Sequence, residues 1–167
     1  MCGDEIREYK PREPKTKNAE QALAALQRLT ARSEKSSGDA MRLMQRWGVP
    51  EKERRGVLAK LVEQRFIDDS RYAEAYVREK SNLAGWGARK IALQLRSKGI
   101  SQEIIKQALG KIDGYEQRQR LEEKLRRKLK GIKAGNDYEL RGKLLRYALS
   151  LGYDYDTSTE AVQSVID

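Results

Sequence analysis

A chain of 167 residues, 36% charged and 38% hydrophobic, has room for one ordinary domain or a few small modules. Its Lys and Arg outnumber Asp and Glu 35 to 25, giving +10 and a pI near 9.7, a surface potential that attracts polyanions such as nucleic acid or an acidic protein. The lack of histidine and the single cysteine, Cys2, remove most hydrolase and zinc chemistries and any disulfide framework, so the chain is read as a cytoplasmic binding protein, not an enzyme, with no cofactor and no metal.

In chain order, residues 1–18 hold Pro11 and Pro14 among alternating charges and read as a disordered basic arm. They contain no apolar signal-peptide centre, and no later run approaches the roughly 18 apolar residues needed to span a bilayer, so no membrane partner is expected. Beyond the arm, strand signals are missing: there is one Phe, and no Asn-Gly or Asp-Gly turn is flanked by alternating apolar residues. The fold class is therefore all-α.

The first predicted helix, Ala19–Arg32, carries Leu23, Leu26 and Leu29 at helical spacing. The stretch 41–61 then reads as helix, Gly48, Val49, a polar start at Pro50 and Glu51, and a second helix. The same order returns at 91–109 around Gly99-Ile100 and at 143–165 around Gly152-Tyr153. These glycines lie 51 and 53 residues apart, and each fits a helix C-terminus whose left-handed residue carries no Cβ, followed by an apolar residue that folds back on the last turn. Pro50 is expected at the first helical position, Ser101 as an N-cap, and Asp154 or Asp156 as the third start.

A further helix precedes each later pair: Asp69–Lys80, with Ala73, Tyr76 and Val77, and Tyr115–Lys130, with Leu121, Leu125 and Leu129. The expected layout is a first three-helix unit at 19–66, a second at 67–113 and a third at 114–167, as helix-turn-helix-like repeats in an elongated curved array. Three short helices bury little surface alone, so neighbouring units should lean on one another.

Asp68-Asp69 precedes a helix and lacks a third carboxylate or a histidine at ligand spacing, so it is read as an N-cap and not as a metal pair. Gly85-Trp86-Gly87 lacks a nucleotide-loop pattern and a preceding strand, and is read as a tight turn with Trp86 partly packed. Residues 118–133 form a basic amphipathic helix whose apolar face is Leu121, Leu125, Leu129 and Ile132. The densest candidate surface is the basic series Arg71, Arg78, Lys80, Arg89, Lys90, Arg96 and Lys98, interleaved with Tyr72, Tyr76 and Trp86. Positive charge among aromatics is the composition of a nucleic-acid or protein interface, although Tyr72 and Tyr76 also suit a core.

The stretch 65–101 resembles the RecX family, modulators of the recombinase RecA, in the order Phe66-Ile67-Asp68-Asp69, Arg71-Tyr72-Ala73, Gly87, Leu95 and Lys98-Gly99-Ile100. Upstream, 31–49 is similar to the family's first unit, while 114–167 retain the layout more than particular residues. Arg65 stands where the family usually has glycine, Ala88 where proline is common and Ala31 where cysteine is frequent.

The resemblance implies a monomeric array in the groove of a RecA-type filament on single-stranded DNA, inhibiting its ATPase, strand-exchange and co-protease activities in homologous recombination, DNA repair and the SOS response. Arg71, Arg78, Lys80, Trp86, Arg89, Lys90, Arg96 and Lys98 are the candidate partner- or DNA-binding residues. The alternative is a helix-turn-helix-like protein that contacts DNA directly. That reading lacks a shared basic or amide pattern at the second-helix starts, EKERR, QEIIK and STEAV.

Overall fold

The computed structural model describes residues 16–167; residues 1–15, most of the expected arm, lie outside the described residues. Among the described residues every regular element is an α-helix. In order they are α1 (Ala19–Arg32), α2 (Ser37–Arg46), α3 (Glu51–Glu63), α4 (Asp69–Asn82), α5 (Ala88–Ser97), α6 (Gln102–Leu109), α7 (Gly114–Leu129), α8 (Asp137–Ser150) and α9 (Tyr155–Ile166).

Most of these helices start where a short polar side chain can take up an orphan amide. Asn18, Ser36, Asp68, Ser101, Asp113, Asn136 and Asp154 each accept a backbone N–H from the first turn that follows. Asp68 thus does what the sequence expects, Ser101 likewise, and Asp154 rather than Asp156 starts α9. Pro50 sits one position earlier than expected, as the residue before α3, with Glu51 and Glu53 in the first turn. The expected ends hold as well: Gly48, Gly99 and Gly152 have φ of 68°, 77° and 92°, which favours a residue without a Cβ.

Each group of three helices closes on its own core. Leu26, Met44, Val49, Leu61 and Ile67 fill the first; Val77, Ile91, Leu95, Ile100 and Ile105 the second; Leu121, Leu125, Leu144, Ala148 and Tyr153 the third. The closely packed helix pairs all lie inside one unit. Units meet instead through helix ends.

At both meetings, the carbonyl end of a later second helix docks on the amide end of the preceding one. Ser36, fully buried, donates its hydroxyl to the Lys98 carbonyl at 2.6 Å and accepts from the Asp39 N–H, joining α2 to the end of α5. Gly87 N–H donates to the Leu151 carbonyl at 2.8 Å and Arg89 N–H to that of Gly152 at 3.1 Å, joining α5 to the end of α8. The approach is close enough to require glycine: a Cβ on Gly38 would lie 2.3 Å from the Lys98 oxygen, and one on Gly87 would lie 2.4 Å from the Gly152 carbonyl. The third carbonyl at this position, that of Trp47, accepts from the Lys17 N–H at 2.9 Å. The last residues of the expected arm are therefore docked on the first unit.

Arg65, at the end of α3, has φ of 59° and so occupies the left-handed region in which a Cβ is strained by about 1–2 kcal/mol. Glycine removes that strain, and Arg65→Gly is expected to stabilise the chain by about 1 kcal/mol in chemical denaturation. Gly87→Ala, whose methyl meets fixed backbone, is expected to cost about 1–3 kcal/mol. Gly56→Ala, inside α3 with open space around it, is expected to gain about 0.5–1 kcal/mol; equal effects of the two alanines would contradict the joint.

Candidate binding surface

Helical phase divides the predicted basic series. Tyr72, Tyr76 and Lys80 recur every fourth residue along α4 and share a face, whereas Arg71 and Arg78 are seven apart and share a different one. On the first face the Tyr72 and Tyr76 rings stack with centroids 6.1 Å apart. The Lys80 ammonium lies 5.3 Å from the Tyr76 centroid and 5.5 Å from that of Trp86, on the turn into α5. Lys90, in the first turn of α5, closes the series 4.4 Å from the same indole. The result is a ladder of Tyr72, Tyr76, Lys80, Trp86 and Lys90 on the middle unit, bound by ring–ring and cation–π attraction.

Both ends of the ladder reach a joint. Lys90 Nζ lies 3.5 Å from the Ser150 carbonyl, at the end of α8. Tyr72 is close enough to Asp39 and Arg42 of α2 for their charges to act on its phenol; burial first, and then Asp39, push that phenol up to about 12. Tyr76 is also raised, chiefly by burial, with Lys80 pulling the other way. The two tyrosines are half-buried and pack against the second core, so they serve core and surface together. Lys80 also pairs with Glu79 at 2.8 Å, and this hydrogen bond holds its ammonium above the ordinary lysine value.

The other predicted residues fall elsewhere. Arg71 makes a two-pronged pair with Glu34, at 2.7 and 3.2 Å, and reaches the Arg65 carbonyl at 3.3 Å, so it braces the first unit. Lys98 faces Asp39 at 3.5 Å across the same joint. Arg96 hydrogen-bonds Gln102. Arg78 lines a separate cleft with Glu74, Lys111 and Arg120. Arg89 is exposed, and its charge helps lower the Asp154 carboxyl, mainly held down by the Thr157 N–H. Arg42 belongs to the surface but was not in the predicted series: it donates to the Ser97 carbonyl at 3.0 Å and pairs with Asp39 at 2.7 Å. Nothing in its local sequence marks it.

The run on α7 resolves as expected into core and exterior. Leu121 and Leu125 are buried, with Leu129 and Ile132 against the same core, while Arg126, Arg127 and Lys128 face out. Among the described residues there is no cluster of acidic or thiol side chains able to hold a metal, and no helix is long and apolar enough to cross a membrane.

These features define a class: a serial scaffold of three-helix units, joined by helix ends, that presents a cation–aromatic stripe on its middle member. The family model for the second three-helix domain of RecX matches residues 68–109, which take in the whole ladder. Regulatory protein RecX of Mycolicibacterium smegmatis is 31% identical over 154 residues, covering 90% of this chain and 81% of that protein. Regulatory protein RecX of Mycobacterium sp. (strain KMS) is 34% identical over 148 residues, covering 86% and 80%. The chain belongs to the RecX family of regulatory proteins. In fold it is similar to the crystal structure of RecX from Lactobacillus salivarius, with a TM-score of 0.76 at 23% identity over 88% of this chain and 96% of that one. A second regulatory protein RecX structure has a TM-score of 0.74 at 22% identity, covering 87% and 73%.

Two phenols give a test by pH. Burial also pushes Tyr153 up to about 12, against a smaller opposite pull from Arg120; its hydroxyl donates to the Gly85 carbonyl at 3.3 Å. A phenol with a raised folded value contributes stability in full below its unfolded value of about 10 and loses it as pH rises through 12. Thermal stability is therefore expected to fall between about pH 10 and 12, in step with late phenolate absorbance that Tyr72→Phe and Tyr153→Phe each diminish. Completion of all tyrosine titration near pH 10 would contradict the packing.

Proposed function

We propose that this chain binds the filament of a RecA-type recombinase on single-stranded DNA and lowers its ATPase, strand-exchange and co-protease activities. The observation that carries the reading is the ladder on the middle unit, which runs from one joint to the other and lies wholly within the stretch matched by the RecX family model. Family membership supplies the regulatory role; the recombinase as target rests on the family resemblance, and the stripe gives that role a surface.

Each three-helix unit is too small to hold a partner tightly by itself, whereas three in series engage successive protomers of a polymer, so modest contacts multiply through effective concentration. Lys80 and Lys90 attract anionic groups, and the partly buried Trp86 between them supplies a rigid apolar contact. A body bridging protomers in this way resists the relative movement that accompanies turnover and obstructs DNA exchange and docking of a cleavage substrate.

Direct reading of duplex DNA by the second helix of each pair has less support. The first turns of α3, α6 and α9 carry Glu51 and Glu53, Glu103, and Asp156, and carboxylates there repel the phosphate backbone.

Titration of the chain into the host recombinase turning over ATP on single-stranded DNA is expected to suppress the rate, less effectively as salt rises. Lys80→Glu with Lys90→Glu is expected to raise the concentration needed by about tenfold or more, the equivalent of about 1.4 kcal/mol, with helicity retained. Arg78→Glu, on the other face of α4, serves as the comparison and leaves inhibition close to that of the native chain. Unchanged turnover with the native chain would reject the recombinase as target; full inhibition by the double variant would reject the ladder.

A further inference from the structure

We propose that the first three-helix unit is hinged on a rigid body formed by the second and third, and that ion pairs open to solvent on at least one side act as the latch of this hinge. The two joints share the docking of a carbonyl end on an amide end, but they differ in what surrounds it.

Between the first and second units, charged side chains at the surface make most of the connections. Arg71 grips Glu34, each side chain 43% exposed, and also holds the Arg65 carbonyl of the connecting segment. Arg42 reaches the Ser97 carbonyl, Lys98 lies 3.5 Å from the partly buried Asp39, and Asp69 accepts the Ser37 N–H at 2.8 Å. Only the Ser36 hydroxyl bond to Lys98 is made by a fully buried side chain. The segment crossing the joint starts at Arg65, whose φ of 59° puts local strain at the pivot.

Between the second and third units the hydrogen bonds are mostly neutral and shielded. Two backbone bonds run from Gly87 and Arg89 to Leu151 and Gly152. Tyr153, 3% exposed, puts its hydroxyl on the Gly85 carbonyl. Gln117 of α7 lies 3.4 Å from the Ser81 hydroxyl and 3.5 Å from the Trp86 carbonyl, and the Lys124 chain covers Gly85. The charged contacts here are weak: Lys90 lies 3.5 Å from the Ser150 carbonyl, and Arg89 acts on Asp154 only through its charge.

The physical consequence is a difference in response to salt. Exposed ion pairs contribute little each and are screened by ions, so the first joint opens as ionic strength rises. Neutral hydrogen bonds away from water are insensitive to screening and are costly to leave unmade, so the second joint holds. The hinge is a property of the two joints and does not depend on the identity of the partner.

Spin-label distances in the full chain test it. With Cys2→Ser, one label pair at Ala59→Cys and Leu93→Cys spans the first joint, and a pair at Leu93→Cys and Ser164→Cys spans the second; all three positions are exposed. Between about 0.1 M and about 1 M salt, where the screening length falls from about 10 Å to about 3 Å, the first distribution is expected to broaden or split and the second to stay unchanged. Glu34→Gln with Asp39→Asn is expected to give the broad first distribution at low salt already. Should that variant lose helicity, the salt series on the otherwise native chain decides alone. Narrow distributions for both pairs at high salt would show that there is no hinge; equal broadening of both would show that there is no rigid body.

Discussion

The docking of one helix's carbonyl end on another helix's amide end is the interaction on which the rest of this structure depends. A helix finishes with unsatisfied carbonyls and a partial negative charge, and it begins with unsatisfied amides and a partial positive charge. In this chain the end of α8 meets the start of α5, and the end of α5 meets the start of α2. Each contact satisfies orphan groups on both sides and sets opposite partial charges against each other. Glycine is what allows the approach, because a side chain at Gly38 or Gly87 would strike a carbonyl.

From that contact follows the organisation of the surface. The cores are separate, so the relative placement of the units is decided at the two joints. α4 and the start of α5 lie between them, and the ladder from Tyr72 to Lys90 connects the neighbourhood of Asp39 and Arg42 with the end of α8. A stripe in this position lets one contiguous surface on the middle unit be continued by its neighbours. The first unit is finished differently, with Lys17 on the Trp47 carbonyl and its ammonium 4.6 Å from the Trp47 ring.

Much of this was legible in the sequence where the cause is local. The glycine ends at Gly48, Gly99 and Gly152 and the caps at Asp68, Ser101 and Asp154 depend on residues within one turn, and periodicity identified leucines of the third core such as Leu121 and Leu125. The joints were not legible, because the reasons for Gly38 and Gly87 lie 60 and 65 residues further along, at Lys98 and Gly152. The same holds for Glu34 with Arg71, which gives an apparently free cation a structural task. The basic series was recognisable by composition, but composition does not sort faces. The four-residue spacing of Tyr72, Tyr76 and Lys80 already separates the ladder from Arg71 and Arg78 in the sequence.

The cation–aromatic face of the middle unit is the proposed contact surface. The most direct measurement is amide hydrogen exchange of the full chain, free and bound to the host recombinase filament on single-stranded DNA. Added protection is expected in α4 and in the turn from Gly85 into α5, with α9 little changed. Protection concentrated instead in the first turns of α3, α6 and α9, with α4 unaffected, would contradict it.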